Sequence, residues 1–504
     1  MENNIAIKLS GITKKFGTVV ANNNIEFSVK KGEILALLGE NGSGKTTLMN
    51  ILAGIYQPDS GTIMINGKET AINSPDDAKH LGIGMIHQHF KLVDVHTAAD
   101  NIILGEKGSF FLKKDRAKRI RELCEKYKLT IDTDKKVYNM SVSEKQTVEI
   151  LKVLYCGAEI LILDEPTAVL TPQETKRLFD ILRHMRNDGR AIIIITHKLN
   201  EVLEISDRVT ILRKGESVAT VNTKETDAKQ LTELMVGRAV ELSIKRPEPV
   251  NSVPVLEIHR LTVEGEDGVD ALKDITFALK SGEILGVAGV AGSGQKELCE
   301  SIAGLLPVKE GAILYKKQNI VGKTPGEIIK AGISMSFIPE DRLGMGLAAS
   351  MGITDNVLLK RDKEGKGPFI TKKHAREISE KIVKKLEIST PDLETPVRKL
   401  SGGNVQKVLL GREIELQPNV LITAYAVRGL DINSSYTIYD ALNEQKQRGV
   451  AVLFIGEDLD VMLELCDRIM VLCHGHITGI VDAKSATKEQ IGLLMTTAKE
   501  EEHE

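Results

Sequence analysis

The residues best suited to chemistry form a glycine-rich segment near the N-terminus. They follow the pattern G-x-x-x-x-G-K-[ST] and are Gly39, Glu40, Asn41, Gly42, Ser43, Gly44, Lys45 and Thr46, with Thr47 directly after them. Glycines in such a loop allow successive backbone N–H groups to face phosphate oxygens at a helix N-terminus. The lysine supplies positive charge to the β- and γ-phosphates, and the hydroxyl of Thr46 is a ligand for Mg²⁺. Because an apolar run precedes the loop and a helical pattern follows it, we predict a nucleotide-phosphate site.

Adjacent carboxylates predict a metal-binding and water-activating centre near this loop. Asp164 and Glu165 follow the apolar run 159–163, which predicts a buried strand whose carboxyl end lies beside the phosphate loop. We expect Asp164 to hold Mg²⁺ and Glu165 to orient the attacking water or accept its proton. Gln88 is a candidate to reach Mg²⁺ or water, and His197 to contact the γ-phosphate. A lone glutamine is also typical of polar surface, and a lone histidine of a structural role.

A second copy of the pattern, Gly289–Lys296, retains glycines but carries Gln295 and Lys296 where the first copy has its lysine and threonine. The later motifs have changed in the same copy, where Ala424 stands for Asp164, Tyr425 for Glu165 and Glu457 for His197. Without the lysine and both carboxylates, electrostatic stabilisation of phosphoryl transfer is largely lost. We therefore predict little or no hydrolysis in the second copy.

Length and composition limit the architecture and the partners. A chain of 504 residues fits two domains of about 250 residues each. We expect a first domain at 1–245, a short proline-rich linker at 246–254, a second domain at 255–495 and a charged tail at 496–504. A net charge of −3, an aromatic content of 4% and the absence of tryptophan argue against nucleic acid as a partner. The five cysteines show no metal-binding or paired spacing and are expected to be reduced thiols.

The alternation of apolar and helical segments predicts the fold class. Short apolar runs end at the motif loops and are followed by helical patterns, which indicates an α/β fold with a mostly parallel core sheet in each copy. Residues 90–155 contain no comparable strand run, and Asp115–Tyr127 reads as a charged amphipathic helix. We therefore expect a helical subdomain inserted between strands, and a second one near 340–415. The apolar runs suit buried strands and not bilayer spans, so a membrane role must come through a partner.

In combination, these motifs resemble the ATP-binding cassette (ABC) family over nearly the whole chain, twice. The most specific element is Leu400–Gln406, which is similar to the family signature and includes the candidate ligand residues Ser401, Gly402, Gly403 and Asn404. The resemblance implies that this signature caps the γ-phosphate held by the opposite domain. It also implies that Gln88 is the Q-loop glutamine, His197 the switch histidine and Phe16 the ring that stacks on adenine. Taken alone, Phe16 is equally compatible with a core position.

The same resemblance sorts the motifs into two unequal sites. ABC domains form their sites head to tail, which implies that the Lys45 loop, with ATP and Mg²⁺, works with the Ser401 signature and with Asp431 of the D-loop. The changed loop at Gln295 is then matched with the first-copy signature, where Ser143 stands at a glycine position and crowds the approach to phosphate. Thr171 holds the D-loop position there. We therefore expect one hydrolytic composite site and one that is structural or regulatory.

Further segments resemble particular branches of this family. Pro339–Arg342 is similar to fused sugar and nucleoside importer ATPases, whereas Gly82–Val93 and Pro166–Pro172 resemble the nucleoside branch. The chain departs from that branch at Ser143, at Thr147 and at 424–427. The resemblance implies a peripheral ATPase on the cytoplasmic face of the cell membrane, paired with two transmembrane permeases and an extracytoplasmic substrate-binding lipoprotein.

Three alternatives remain open from the sequence. The chain is also compatible with a monosaccharide importer ATPase. A soluble tandem cassette protein acting on ribosomes or DNA is disfavoured by the short linker, the absence of zinc spacing and the altered second copy. A regulatory module without hydrolysis is disfavoured by the complete set of catalytic residue types in the first copy.

Overall fold

The structure, a computed structural model, describes residues 4–88, 90–104, 113–168, 170–237, 243–249, 252–265, 268–330, 335–339, 341–361 and 371–497. The chain divides into two compact units, Met1–Glu241 and Leu242–Glu504, called here the first and second units. Most of the charged tail expected at 496–504 lies outside the described residues. Within the described ranges, none of the helices combines the length and the apolar character needed to span a bilayer.

The first unit contains two sheets. Its strands are β1 (Ile5–Phe16), β2 (Val19–Lys30), β3 (Ile34–Leu38), β4 (Ser60–Ile65), β5 (Lys68–Glu69), β6 (Ile83–Ile86), β7 (Ile160–Asp164), β8 (Ala191–Ile195), β9 (Arg208–Arg213) and β10 (Glu216–Asn222). A four-stranded antiparallel sheet has the order β2-β1-β4-β5. A six-stranded sheet has the order β10-β9-β3-β8-β7-β6, in which only the β9–β10 pair is antiparallel.

Helices of the first unit cover the six-stranded sheet and fill one long insertion. They are α1 (Lys45–Leu52), α2 (Pro75–His80), α3 (Ala98–Ile102), α4 (Lys113–Tyr127), α5 (Val142–Tyr155), α6 (Pro172–Asn187), α7 (Leu199–Ile205) and α8 (Ala228–Val236), with 3₁₀ turns at Val137–Asn139 and Thr223–Glu225. Between β6 and β7 the described residues form helices α3 to α5 with their connecting segments and no strand. This is the position at which the sequence predicts an inserted helical subdomain.

Burial on both faces explains why the central strands are continuously apolar. Every residue of β3 and β8 is buried. Alternate residues of β3 face different layers: Leu35 and Leu37 join the core shared with the antiparallel sheet and α1, whereas Ile34 joins the core shared with α5 and α6. A parallel sheet covered on both faces requires such uninterrupted apolar runs. The expected α/β class is confirmed.

The second unit repeats this architecture. Its strands are β11 (Pro254–Glu264), β12 (Asp270–Lys280), β13 (Ile284–Gly289), β14 (Glu310–Tyr315), β15 (Gln318–Asn319), β16 (Met335–Ile338), β17 (Val420–Ala424), β18 (Ala451–Ile455), β19 (Arg468–Cys473) and β20 (His476–Asp482). The sheets have the orders β12-β11-β14-β15 and β16-β17-β18-β13-β19-β20. Each order matches its counterpart in the first unit, so the duplication seen in the sequence is also a duplication of topology.

The helices of the second unit occupy corresponding places. They are α9 (Gln295–Ile302), α10 (Pro325–Lys330), α11 (Ile353–Arg361), α12 (Lys373–Lys385), α13 (Gly402–Glu415), α14 (Ile432–Gln447), α15 (Leu459–Leu465) and α16 (Lys488–Thr496), with a 3₁₀ turn at Val397–Lys399 and a π turn at Arg342–Gly346. Helices α11 to α13 lie between β16 and β17. The second helical insertion is therefore also present.

The antiparallel sheet of each unit was not predicted from the sequence. In the first unit, the long strands β1 and β2 of this sheet pair with four register shifts, which interrupt the alternation of buried and exposed residues along them. In this sheet Gly61 has φ +103°, and a Cβ atom there would lie 2.5 Å from the carbonyl oxygen of Gly11. The close approach of β1 and β4 therefore depends on a glycine at this position.

We expect Gly61→Ala to destabilise the chain far more than Gly67→Ala. Gly67 also has positive φ, +79°, but no atom lies within 4 Å of the place that a Cβ would take, so alanine there costs only about 1 kcal/mol of backbone strain. At Gly61 the clash with strand backbone should add about 2 kcal/mol or more. Chemical denaturation of both variants measures the difference, and equal losses of stability would contradict the packing described.

Candidate active site

The phosphate loop of the first unit is held between a buried strand and a helix. Strand β3 ends at Leu38 and α1 begins at Lys45. Gly44 is the N-cap of α1 with φ +96°, and a Cβ atom there would lie 2.3 Å from the carbonyl oxygen of Ala21. Only glycine fits this position, because a side chain would meet both left-handed strain and the backbone of β2. The loop therefore ends at the N-terminus of α1, the end of a helix at which anions bind.

Lys45 is buried inside this loop. Its Nζ donates hydrogen bonds to the carbonyl oxygens of Gly39, at 2.6 Å, and Glu40, at 2.9 Å. Burial lowers the pKa of Lys45, and the charges of Glu165, Asp164 and Glu40 act in the opposite direction. The ammonium group is therefore held by two carbonyl oxygens of the loop, and the charges of the surrounding carboxylates favour its protonated form.

The buried hydroxyl of Ser43 in this loop fits a phosphate ligand. Ser43 is 3% exposed, and its Oγ has no hydrogen-bond partner among the described residues. A buried hydroxyl without a partner costs about 1–3 kcal/mol, and a phosphate oxygen is a suitable acceptor for it. Thr46 is exposed and Thr47 half-buried in the first turn of α1, while Asn41 and Gly42 are exposed at the rim of the loop.

Asp164 is placed at the carboxyl end of β7, where it pairs in register with Ile195 of the neighbouring strand β8. Burial raises the pKa of Asp164 to about 6, the negative charge of Glu165 adds to the shift, and Lys45 opposes it. A carboxylate that is disfavoured by burial is stabilised by a bound cation. Carboxylate and hydroxyl oxygens are the donors that Mg²⁺ prefers, so Asp164 and Thr46 fit this ion.

Glu165 and His197 form a direct pair. Glu165 has φ +49°, and its backbone N–H donates to the carbonyl oxygen of Ile195 at 2.8 Å, which turns the side chain back toward the end of β8. His197 Nδ1 lies 2.7 Å from Glu165 Oε1. Burial would raise the pKa of Glu165, but the hydrogen bond and charge of His197, together with Lys45, bring it below its ordinary value. Glu165 is thus held as a carboxylate, the form that accepts a proton or orients water.

Two other predicted residues make no hydrogen bond to this pair in the described part of the chain. Gln88 is exposed just beyond β6, the strand next to β7, and makes no hydrogen bond to Lys45 or Glu165 in the described part of the chain. Phe16 ends β1 and is 43% exposed, with the ring of Tyr56 at 5.2 Å in an edge-on arrangement. Phe16 is therefore not a core residue, and its exposed ring is compatible with stacking on adenine.

The two signature segments differ in charge at the start of their helices. In the first unit Ser141 caps α5 in a capping box with Glu144, whose carboxylate also accepts a bond from Lys135 at 2.8 Å. Although partial burial opposes the shift, bonds from Lys135 and from the Ser141 N–H lower the pKa of Glu144. A carboxylate therefore occupies the helix N-terminus that a phosphate would need. With Ser143, it gives this signature a second feature unfavourable to phosphate.

The second-unit signature is neutral and tightly packed. Ser401 caps α13, and its Oγ accepts a bond from Asn404 Nδ2 at 2.9 Å. A Cβ atom at Gly403 would lie 2.7 Å from Ser434 Oγ and 3.2 Å from Asp431 Oδ2. Asp431 caps α14 by accepting bonds from the N–H and hydroxyl of Ser434. Gly403 therefore sets the distance between the signature helix and the Asp431 loop.

In the second unit the positions of the catalytic pair hold different chemistry. Tyr425 keeps the positive φ of its counterpart, +53°, but Glu457 forms an ion pair with Arg428 at 3.2 Å. The Arg428 guanidinium lies 5.8 Å from the ring centre of Tyr425. No water-activating carboxylate stands at the Tyr425 position. Glu266, which matches Phe16 in the sequence, lies outside the described residues.

One contact was missed by sequence reasoning. Gln146 of α5 is buried, and its Nε2 donates to the carbonyl oxygen of Pro166 at 2.7 Å. This bond joins the signature helix of the first unit to the loop that follows Asp164 and Glu165. The signal was present in the sequence, because Gln146 occupies the position of Gln406 at the end of the second-copy signature.

Comparison with known proteins identifies related chains. The family model described as "ABC transporter" matches residues 22–168 and 272–423. The chain is 42% identical to the guanosine import ATP-binding protein NupO of Bacillus subtilis, covering 98% of each chain. It is 41% identical to the nucleoside import ATP-binding protein NupA of Lactococcus lactis, covering 98% of this chain and 99% of that one. It is 38% identical to the glucose import ATP-binding protein TsgD13 of Haloferax volcanii, covering 97% and 95%.

A solved ATP-binding cassette of an ABC transporter, in its ADP conformation, is similar to part of the chain. The TM-score is 0.43 at 24% identity, with 46% of this chain and 99% of that chain covered.

We expect Asp164→Asn to stabilise the nucleotide-free, metal-free chain at pH 7.5. The pKa of Asp164 in the folded state, about 6, exceeds its ordinary value of 3.8, so folding penalises the charged form and this penalty grows as pH rises from about 4 to 6. After allowance for solvent screening, removing the charge should gain about 1 kcal/mol at pH 7.5 and less at pH 5. Thermal unfolding in EDTA at both pH values measures the gain. A loss of stability at pH 7.5 would contradict the burial penalty.

Proposed function

The chain belongs to the ABC transporter family, and on this premise we propose that it is the ATP-hydrolysing subunit of a membrane importer for nucleosides. The observation that carries the proposal is the cluster of Lys45, Asp164, Glu165 and His197 at the carboxyl edge of the six-stranded sheet. Import of nucleosides as the transported class is supported by the names of two relatives that are 42% and 41% identical to the chain.

The residues of the first unit divide the chemistry of ATP hydrolysis among them. Lys45 and the loop amides bind the phosphates, and Ser43 Oγ donates to one of their oxygens. Glu165 orients the attacking water and accepts its proton, since it is held ionised by His197. Gln88 and Phe16 complete the proposed set, one at the edge of the sheet near the attacking water and the other against the adenine ring.

A magnesium ion belongs to the proposed site. Thr46 and Asp164 would hold it, with Gln88 as a further oxygen donor, and when bound it supplies positive charge that offsets the charge developing on the transferred phosphoryl group. Asp164 gains from this ion as well, because its carboxylate is otherwise buried beside Glu165. The same donor set is absent from the second unit, where Ala424 and Lys296 stand at these positions.

Hydrolysis is proposed to need both units. The Ser401 signature, including Gly402, Gly403 and Asn404, has a neutral helix start, whereas the first-unit signature places the carboxylate of Glu144 there. A neutral helix N-terminus favours an anion and an ionised carboxylate opposes it. We therefore assign the stimulation of hydrolysis to the second-unit signature with Asp431, and a structural or regulatory role to the first-unit signature.

The partners follow from the same premise. Import ATP-binding subunits work with membrane permeases, and we propose two permease subunits together with an extracytoplasmic substrate-binding lipoprotein. The chain would then lie at the cytoplasmic face of the membrane through its contacts with the permeases.

Glu165→Gln is expected to lower ATP hydrolysis by at least about a hundredfold, because an amide does not accept the proton of the attacking water. The matched variant Tyr425→Phe, at the same backbone position of the second unit, should hydrolyse ATP at the wild-type rate. Steady-state phosphate release by the purified chain measures both. Equal losses in the two variants would contradict the assignment of hydrolysis to the first unit.

Uptake by cells that produce the protein tests which class of compound is transported. Cells carrying wild type or Glu165→Gln are compared for uptake of labelled nucleosides and of labelled pentoses and hexoses. Loss of nucleoside uptake alone supports the proposal, whereas loss of sugar uptake alone would keep the ATPase and replace the substrate class. Unchanged uptake of all compounds would overturn the importer assignment.

Gly403→Ser is expected to lower hydrolysis by about tenfold to a hundredfold. The added side chain must displace Ser434 or Asp431, and a shift of about 1 Å at a catalytic segment has effects of this size. Ser143→Gly removes a side chain at the corresponding position of the first unit and should not lower the rate. Phosphate release and thermal unfolding are measured together, and a stable Gly403→Ser protein with full activity would contradict the role of this signature.

A further inference from the structure

The second phosphate loop keeps the backbone of the first although its chemistry has changed. Gly294 caps α9 with φ +101°, close to the +96° of Gly44. The Ser293 N–H donates to the carbonyl oxygen of Val290 at 3.1 Å, as Ser43 does to Glu40 at 3.1 Å. The loop N–H groups of the two units are therefore arranged alike, which is the part of a phosphate site that depends on backbone alone.

A buried hydroxyl in this loop points to a ligand. Ser293 is 1% exposed, and its Oγ has no hydrogen-bond partner within the described ranges. The hydroxyl of its counterpart Ser43 is likewise buried without a hydrogen-bond partner among the described residues. Gln295 lies where Lys45 does and donates from Nε2 to the carbonyl oxygen of Val290 at 3.2 Å, so an amide fills the place of the ammonium. An acceptor bound in the loop would satisfy the Ser293 hydroxyl, since a buried donor without a partner is destabilising.

The residues around this loop do not fit a magnesium ion. Ala424 offers a methyl group where the first unit has the Asp164 carboxylate, and Tyr425 replaces the neighbouring carboxylate. Lys296, exposed in the first turn of α9, replaces the hydroxyl of Thr46 with an ammonium group. A cation site needs oxygen donors of negative charge, and an ammonium at the same position repels a divalent ion.

We infer that the second phosphate loop binds a nucleoside triphosphate without Mg²⁺ and does not hydrolyse it. Lys296 supplies the positive charge that the metal supplies in the first unit, and the loop amides with Ser293 Oγ hold the phosphate oxygens. The charges of the second unit are consistent with binding of an anion without a metal. Compared with the first unit, an ammonium is absent at Gln295, another is present at Lys296, and both carboxylates are absent. The inference rests on the proposed function only in taking a nucleoside triphosphate as the ligand.

Binding of labelled ATP to the full-length chain by equilibrium dialysis tests this inference. Lys45→Met removes the ammonium of the first loop and leaves the second loop to be measured. We expect this variant to bind one ATP per chain with a Kd that changes less than about threefold between excess Mg²⁺ and excess EDTA. Adding Lys296→Glu should weaken binding in EDTA by at least about tenfold, and adding Lys296→Met should weaken it by a smaller factor.

Three results would overturn the inference. They are binding by Lys45→Met that disappears in EDTA, the absence of any binding by that variant, and binding in EDTA that Lys296→Glu leaves unchanged. Circular dichroism confirms that each variant is folded, and Lys296 is exposed, so its replacement leaves the core intact. Wild-type hydrolysis with Mg²⁺ is measured on the same preparations. An active wild type without metal-independent binding refutes this inference alone, whereas an inactive wild type that binds no ATP refutes the proposed function.

Discussion

The buried ammonium of Lys45 and the two carboxylates whose charges favour it determine the chemistry of the candidate site. A buried lysine is stable only with hydrogen bonds and opposing charge, which the loop carbonyls, Asp164 and Glu165 provide. Removal of the ammonium alone would leave both carboxylates without an opposing charge. In the second unit all three groups are absent together, with Gln295, Ala424 and Tyr425 in their places. The altered unit is therefore a consistent electrostatic alternative and not a partly damaged copy.

The fold itself does not depend on those side chains. Glu165 and Tyr425 have φ of +49° and +53°, and each donates its N–H to the last residue of the neighbouring strand, Ile195 or Ile455. The same turn thus forms with a carboxylate or a phenol. Strand order and helix insertion are also the same in both units. Backbone geometry is maintained by the buried strands, so the side chains at their carboxyl ends are free to differ in chemistry.

The parts that sequence reasoning predicts are those with strong local signals. Continuous apolar runs predict β3, β7 and β8, and the glycine pattern predicts the helix that begins at Lys45. The antiparallel sheets are not predicted, because register shifts interrupt the alternation of buried and exposed residues along their strands. The Glu165–His197 contact is not predicted either, because it joins two loops through a left-handed backbone turn that the sequence does not reveal. Site residues are thus predictable by type, whereas their pairwise contacts require the three-dimensional structure.

A pair of glutamines extends the asymmetry to the signature helices. Gln146 joins α5 to the carbonyl oxygen of Pro166, so the first-unit signature helix and the loop bearing Glu165 are connected by a buried hydrogen bond. At the matching position Gln406 is fully buried, and neither its Nε2 nor its Oε1 has a partner among the described residues. A buried hydrogen bond transmits displacement because breaking it costs about 1–3 kcal/mol. The first-unit signature helix is therefore joined to the catalytic loop of its own unit by a hydrogen bond that Gln406 does not make in the described part of the second unit. The helix that best fits a γ-phosphate thus lacks this hydrogen bond and meets the following segment of its own unit by packing, where Gly403 lies against Ser434 and Asp431.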